Sequence, residues 1–210
     1  MIRKLLVVAA AIAMPVSVIA VSGGMAGASN SHSTTTATAT CSGLKGSIAF
    51  TPHLSSKGDG TTPITAKVTA TLSGCKGVGA TITAGSVSGS LKGAPGTKTK
   101  PSGTCVGLAS GNASEVGTLT IKWTPSSVPN TVLNVKSDDG GTSGGHGTFA
   151  IPGNVKSTVS GSFEGTNHGA SDKSLAETTL TAASILSSCT KGISTLAIQA
   201  VPGKTAVTLG

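Results

Sequence analysis

From Ile64 to Ser73 the chain alternates at every position. Ile64, Ala66, Val68, Ala70 and Leu72 share one side, and Thr65, Lys67, Thr69, Thr71 and Ser73 share the other. A period of two marks a strand with one face buried and one in water. Upstream, Leu44, Ile48, Phe50 and Leu54 also share a parity, and Lys57-Gly58-Asp59-Gly60 between the two runs is turn chemistry. Folding the chain about Gly58 pairs Ile48 with Val68 and Phe50 with Ala66, so that the apolar faces coincide. The same register sets Cys41 opposite Cys75, although both cysteines then fall on the polar parity. Either their bridge lies on the outer face, or a bulge at Gly43 or Gly74 turns them inward.

A second hairpin follows the same logic. Leu119, Ile121 and Trp123 alternate with Thr118, Thr120 and Lys122; a Pro-Ser-Ser-Val-Pro-Asn turn follows, and Thr131, Leu133 and Val135 return. The expected pairs are Leu119 with Val135 and Ile121 with Leu133, with Trp123 as the main core aromatic rather than a ligand platform. Val155, Val159 and Phe163 form a further apolar parity, and Leu175–Leu186 and Ile193–Val201 complete the set. A helix is conceivable over 173–186, but Thr178, Thr179 and Thr181 favour a strand there. Val87-Ser-Gly-Ser-Leu-Lys-Gly93 echoes Val159-Ser-Gly-Ser-Phe-Glu-Gly165, a match that Ser/Gly-rich sequence also produces by chance. The expected architecture is all-β, an antiparallel β-barrel or β-sandwich of about eight to ten strands.

Composition narrows this further. Thirty glycines, 2% aromatic and 10% charged residues exclude a helical bundle, while 37% hydrophobic content argues against disorder throughout. Met1-Ile-Arg3-Lys4, an apolar run from Leu5 to Val21 and a small-residue site at Ala26-Gly-Ala28 have the three-part form of a secretory signal peptide. Residues 1–28 are therefore read as a signal peptide. The run is short for a membrane anchor and Pro15 interrupts it. Residues 29–40, Ser/Thr-rich and without apolar period, are read as a flexible tether, and 41–210 as one domain. Signal cleavage removes Arg3 and Lys4, leaving lysine as the only basic residue type besides histidine. Nucleic-acid binding calls for clustered Arg and Lys interleaved with aromatics, which this chain lacks. Losing the Arg3 and Lys4 charges lowers the formal net charge from +8 to +6 (8 − 2). This fits a diffuse attraction to anionic cell-wall polymers or lipid head groups better, and the favoured reading is that a modest positive charge keeps an exported protein soluble.

Cys41, Cys75, Cys105 and Cys189 form an even set in an exported chain, which favours two disulfides. The hairpin register selects 41–75, and 105–189 follows. No Cys-x-x-Cys or calcium-loop spacing is present, so no metal or cofactor is expected. His32, His53, His146 and His168 are isolated, and Asp138-Asp139 reads as turn chemistry before a glycine-rich loop. Gly141-Thr-Ser143-Gly-Gly145 fits the G-x-S-x-G pattern of hydrolases. Ser143 would then be the nucleophile, His53 its base and Asp59 the group that orients the imidazole. Against this, the flanking Asp138-Asp-Gly140 and Gly147 do not supply a strand–elbow–helix, and thirty glycines make chance matches common.

Cys41-Ser-Gly-Leu-Lys-Gly-Ser-Ile-Ala-Phe50-Thr-Pro, Ala70-Thr-Leu-Ser-Gly-Cys75, Ile121-Lys-Trp123 and Val159-Ser-Gly-Ser-Phe-Glu-Gly165, behind a signal peptide, resemble a loosely defined group of small exported actinobacterial proteins of unknown function. The resemblance implies a Gram-positive envelope or medium and nothing catalytic. The expected protein is thus a secreted or envelope-associated, non-enzymatic binding or structural module. Its rivals are a carrier of a small apolar ligand, if a barrel cavity exists, and a secreted serine hydrolase using Ser143.

Overall fold

The computed structural model describes residues 37–99, 101–110, 115–137, 148–160, 163 and 173–210. They form nine strands and two short helices: β1 (Thr38–Leu54), β2 (Thr65–Val78), β3 (Ala84–Gly93), α1 (Cys105–Ser110), β4 (Glu115–Thr124), β5 (Thr131–Ser137), β6 (Thr148–Ser160), β7 (Lys173–Thr181), α2 (Ala182–Ser188), β8 (Ile193–Ala200) and β9 (Val207–Leu209). All nine lie in one antiparallel sheet, each of β1 to β7 paired with the next strand along the chain. β1 is bonded to β2 on one side and to β8 on the other, so the pairings run in a circuit from β1 through β8 and back to β1. β9 extends β8 past a detour at 201–206. It runs beside β1 at Ala39–Cys41 and also reaches β7, where Ser174 pairs with Val207. β8 and β9 are thus one broken stave. β1 begins at Thr38, so Thr38–Thr40 of the expected tether are part of the sheet.

The first hairpin has the expected register, kept without offset from Thr38↔Val78 to Thr51↔Thr65, with Ile48↔Val68, Phe50↔Ala66 and Cys41↔Cys75. Gly58 sits in the connection at φ 72°, a conformation glycine adopts without penalty. Both cysteines point inward, Cys41 at 0% and Cys75 at 7% exposure. The reversal occurs at Gly74, whose φ is 59°, where the ladder skips the Ser42–Gly74 pair. No residue is inserted on either strand, so both strands change face together; this differs from a bulge, which would offset one against the other. The Ser42 side chain fills the space a Cβ on Gly74 would need.

The second hairpin is slipped by two residues from expectation: Leu119 pairs with Leu133, Ile121 with Thr131 and Gly117 with Val135. A slip of two leaves every side chain on its original face. Trp123 Nε1 donates to Thr131 Oγ1 at 2.9 Å, a buried bond that accompanies the observed register.

Inside the circuit, β3 and β4 set small against large. Gly85 lies opposite Trp123, Gly89 opposite Leu119 and Leu91 opposite Gly117, with Val87 and Ile121 facing each other midway. A Cβ on Gly89 or Gly117 would run into the backbone of the partner strand. Alternation of this kind lets the walls of a narrow interior approach. Phe50, Leu72, Ile121, Trp123, Leu196 and Leu209 are all buried there. Phe163 is buried too, but it does not extend β6: its φ is 66°, and its ring meets Trp123 edge-on at 5.2 Å.

The connections 55–64 and 182–192 and the described residues 94–99 and 101–110 gather at one end of the circuit. The strand expected over 175–186 stops at Thr181. There Thr181 Oγ1 accepts from the Ser184 amide at 3.2 Å and caps α2, so a local capping bond outweighs the strand preference of the preceding threonines. α1, not foreseen, starts at Cys105, whose amide donates to the Ser55 carbonyl at the end of β1.

Candidate functional site

The four cysteines form the two expected bridges, Cys41–Cys75 and Cys105–Cys189. The first clamps the open end of the β1–β2 hairpin. The second joins the first residue of α1 to the C-cap of α2, tying the long β3–β4 connection to the β7–β8 connection. Both are buried staples.

The hydrolase candidates are not assembled by the described residues. Ser143 lies outside them, as do Asp138, Asp139, His32, His146 and His168. His53 is exposed near the end of β1, where its ring lies over Gly192. Asp59 is exposed in the following turn, tied through its backbone amide to the Ser102 carbonyl at 2.8 Å. Among the described residues, no hydrogen bond or ion pair joins the His53 ring to the Asp59 carboxylate, and no three His, Cys, Asp or Glu side chains are placed to share a metal ion.

Two other carboxyls stand out. Glu115 begins β4 on the parity of Ile121 and Trp123 and pairs with Gly93 and Ser137, so it sits on the inner face at the helix-bearing end. Burial pushes its carboxyl up from 4.5 to about 7, because loss of water disfavours the charged form. Its inward parity was legible in the sequence as an extension of the Leu119–Trp123 alternation. Glu177 on β7 is 1% exposed, and Gln199 Nε2 of the neighbouring strand donates to its Oε1 at 2.9 Å.

The outer face of β1–β4 is different in kind. Lys45, Lys67, Lys92 and Lys122 are all exposed on it, with exposed Thr69, Thr71, Ser86, Ser88, Ser90 and Thr118 between them. Lys45 and Lys122 lie on one cross-strand row, separated by Thr71 and Ser86. With strands about 4.8 Å apart, that row spans roughly 14 Å. Lys67 and Lys92 stand on adjacent strands two residues out of step, roughly 8 Å between Cα atoms. Thr71 Oγ1 is bonded to the Lys45 carbonyl and Thr118 Oγ1 to Asn134 Oδ1, which leaves oxygen lone pairs and the serine hydroxyls facing water. Among the described residues, the sole exposed carboxylate is Asp59, in a turn at the end of the sheet.

Compared with protein-family models, with curated proteins and with solved structures, the chain matches none.

Proposed function

We propose that this protein is an exported, non-enzymatic binding or structural module of a cell envelope, working through its outer surface. The observation that carries this reading is the division of side chains. The interior is occupied by the protein's own apolar groups, Trp123 and Phe163 among them, while lysines and hydroxyls are displayed outside. Two buried disulfides suit an oxidising compartment. Among the described residues no helix is long and apolar enough to cross a membrane. The carrier alternative needs open space where Leu72, Ile121, Trp123 and Leu196 now sit. The hydrolase alternative needs an oriented base, and His53 is exposed and not bonded to Asp59.

A fluorophosphonate probe tests the non-enzymatic part directly. The expected result is no adduct on Ser143, and a stoichiometric adduct there would overturn the reading. Native mass spectrometry of protein purified from its own host should show the bare chain; a retained apolar molecule in one-to-one ratio would replace the module with a carrier.

A further inference from the structure

We propose that the outer face of β1–β4 is a docking surface for a linear, phosphate-bearing polyanion, gripped by Lys45, Lys67, Lys92 and Lys122 with the serine and threonine hydroxyls between them. This rests on the reading of the protein as a surface-acting module. The charge pattern selects the sign of the partner, since Lys45, Lys67, Lys92 and Lys122, with Lys76 farther along β2, are exposed on the face with no exposed carboxylate among its described residues. The spacing selects a polymer. Strand geometry spreads the lysines over roughly 14 by 20 Å, too far for one small anion to touch three of them, but suited to a chain with charges at regular intervals. Hydroxyls select oxygen-rich groups. Ser86, Ser88 and Ser90 form an outward row along β3 from the level of Lys122 to beside Lys92, each able to donate one hydrogen bond to a phosphate oxygen. A lipid surface fits less well. Phe50, Trp123 and Phe163 are all turned inward, and among the described residues the large exposed hydrophobes of this face are Val116 and, at the end of β2, Val78, two short side chains with no aromatic to anchor between acyl chains.

The test is binding of the full purified chain to long-chain inorganic polyphosphate, followed by co-sedimentation or fluorescence anisotropy. Four lysine contacts predict that the logarithm of the affinity falls with the logarithm of salt at a slope of about −3, as for counterion release from a flexible polyanion. A triple variant, Lys67→Gln, Lys92→Gln and Lys122→Gln, is compared with a second, Lys57→Gln, Lys191→Gln and Lys204→Gln. The second triple removes equal charge from exposed turn positions off this face. The first should weaken binding about tenfold or more and the second by about twofold or less. Equal weakening by both triples would mean net charge alone is felt and would overturn the docking surface. So would binding to phosphatidylglycerol vesicles without binding to polyphosphate, or no binding to either. Each of these outcomes leaves the probe and native-mass results untouched, so loss of this inference is distinguishable from loss of the module reading.

Discussion

Replacing Glu115 with Gln should remove a pH-dependent loss of stability that the wild-type fold carries. The carboxyl is held on the inner face at the start of β4, and burial moves its pKa from 4.5 to about 7. An unfolded chain returns it to water and ionises it near 4.5, so between 4.5 and 7 unfolding releases a proton that the folded state retains. Rising pH therefore favours the unfolded chain in that window: stability is fully present below 4.5, is lost progressively, and levels off above 7. The shift of 4.5 to about 7 corresponds to about 3 kcal/mol at the standard conversion. Residual exposure of the group reduces this to about 2 kcal/mol through solvent screening. The measurement is urea unfolding of wild type and Glu115→Gln in parallel from acid to mild alkali, read as the difference in free energy. Every other titrating group is common to both proteins and cancels. The difference should grow in favour of Glu115→Gln through the window and stay flat on either side. Parallel curves, or a variant that weakens relative to wild type as pH rises, would refute the placement of this carboxyl in a dehydrated site.

Two further outcomes follow from the same geometry. The Cys105–Cys189 bridge closes a separation of 84 residues, and on loop-closure entropy its loss, as Cys105→Ala with Cys189→Ala, should cost about 4–5 kcal/mol; the Cys41–Cys75 pair, at a separation of 34, should cost about 1 kcal/mol less. Denaturant midpoints of the two double variants check the order, and an equal or reversed ranking would show that residual structure or local packing dominates. Gly74→Ala forces a side chain into φ 59° and against Ser42, so it should cost about 1–2 kcal/mol or more and perturb the neighbouring Cys41–Cys75 bridge, measured by thermal unfolding with and without reductant.

Alternation made much of this fold legible. The β1–β2 register was readable because a one-residue slip would have thrown Ile48, Phe50, Val68 and Ala66 into water, and Gly58 marked the turn. The β4–β5 register was not, because a two-residue slip preserves every face; the turn geometry and the Trp123–Thr131 bond accompany the observed one. The inward turn of Cys41 and Cys75 depended on the φ of a single glycine, which composition cannot announce. α2 was hidden because Thr178, Thr179 and Thr181 read as strand, whereas the last of them turned out to be a cap.

The candidate face divides in the same way. That Lys45, Lys67, Lys92 and Lys122 point away from the core followed from their parity on each strand. That they share one surface, free of exposed acid among its described residues, depends on which strands adjoin and at what level. By itself the chain determined the faces of its strands, the positions of several turns and the pairing of its cysteines, all of which are short-range or parity-bound. Tertiary structure decided the circuit, the broken β8–β9 stave and the grouping of the lysines. Strand neighbours are chosen by hydrogen bonds between segments distant in sequence, and a period of two carries no record of that choice.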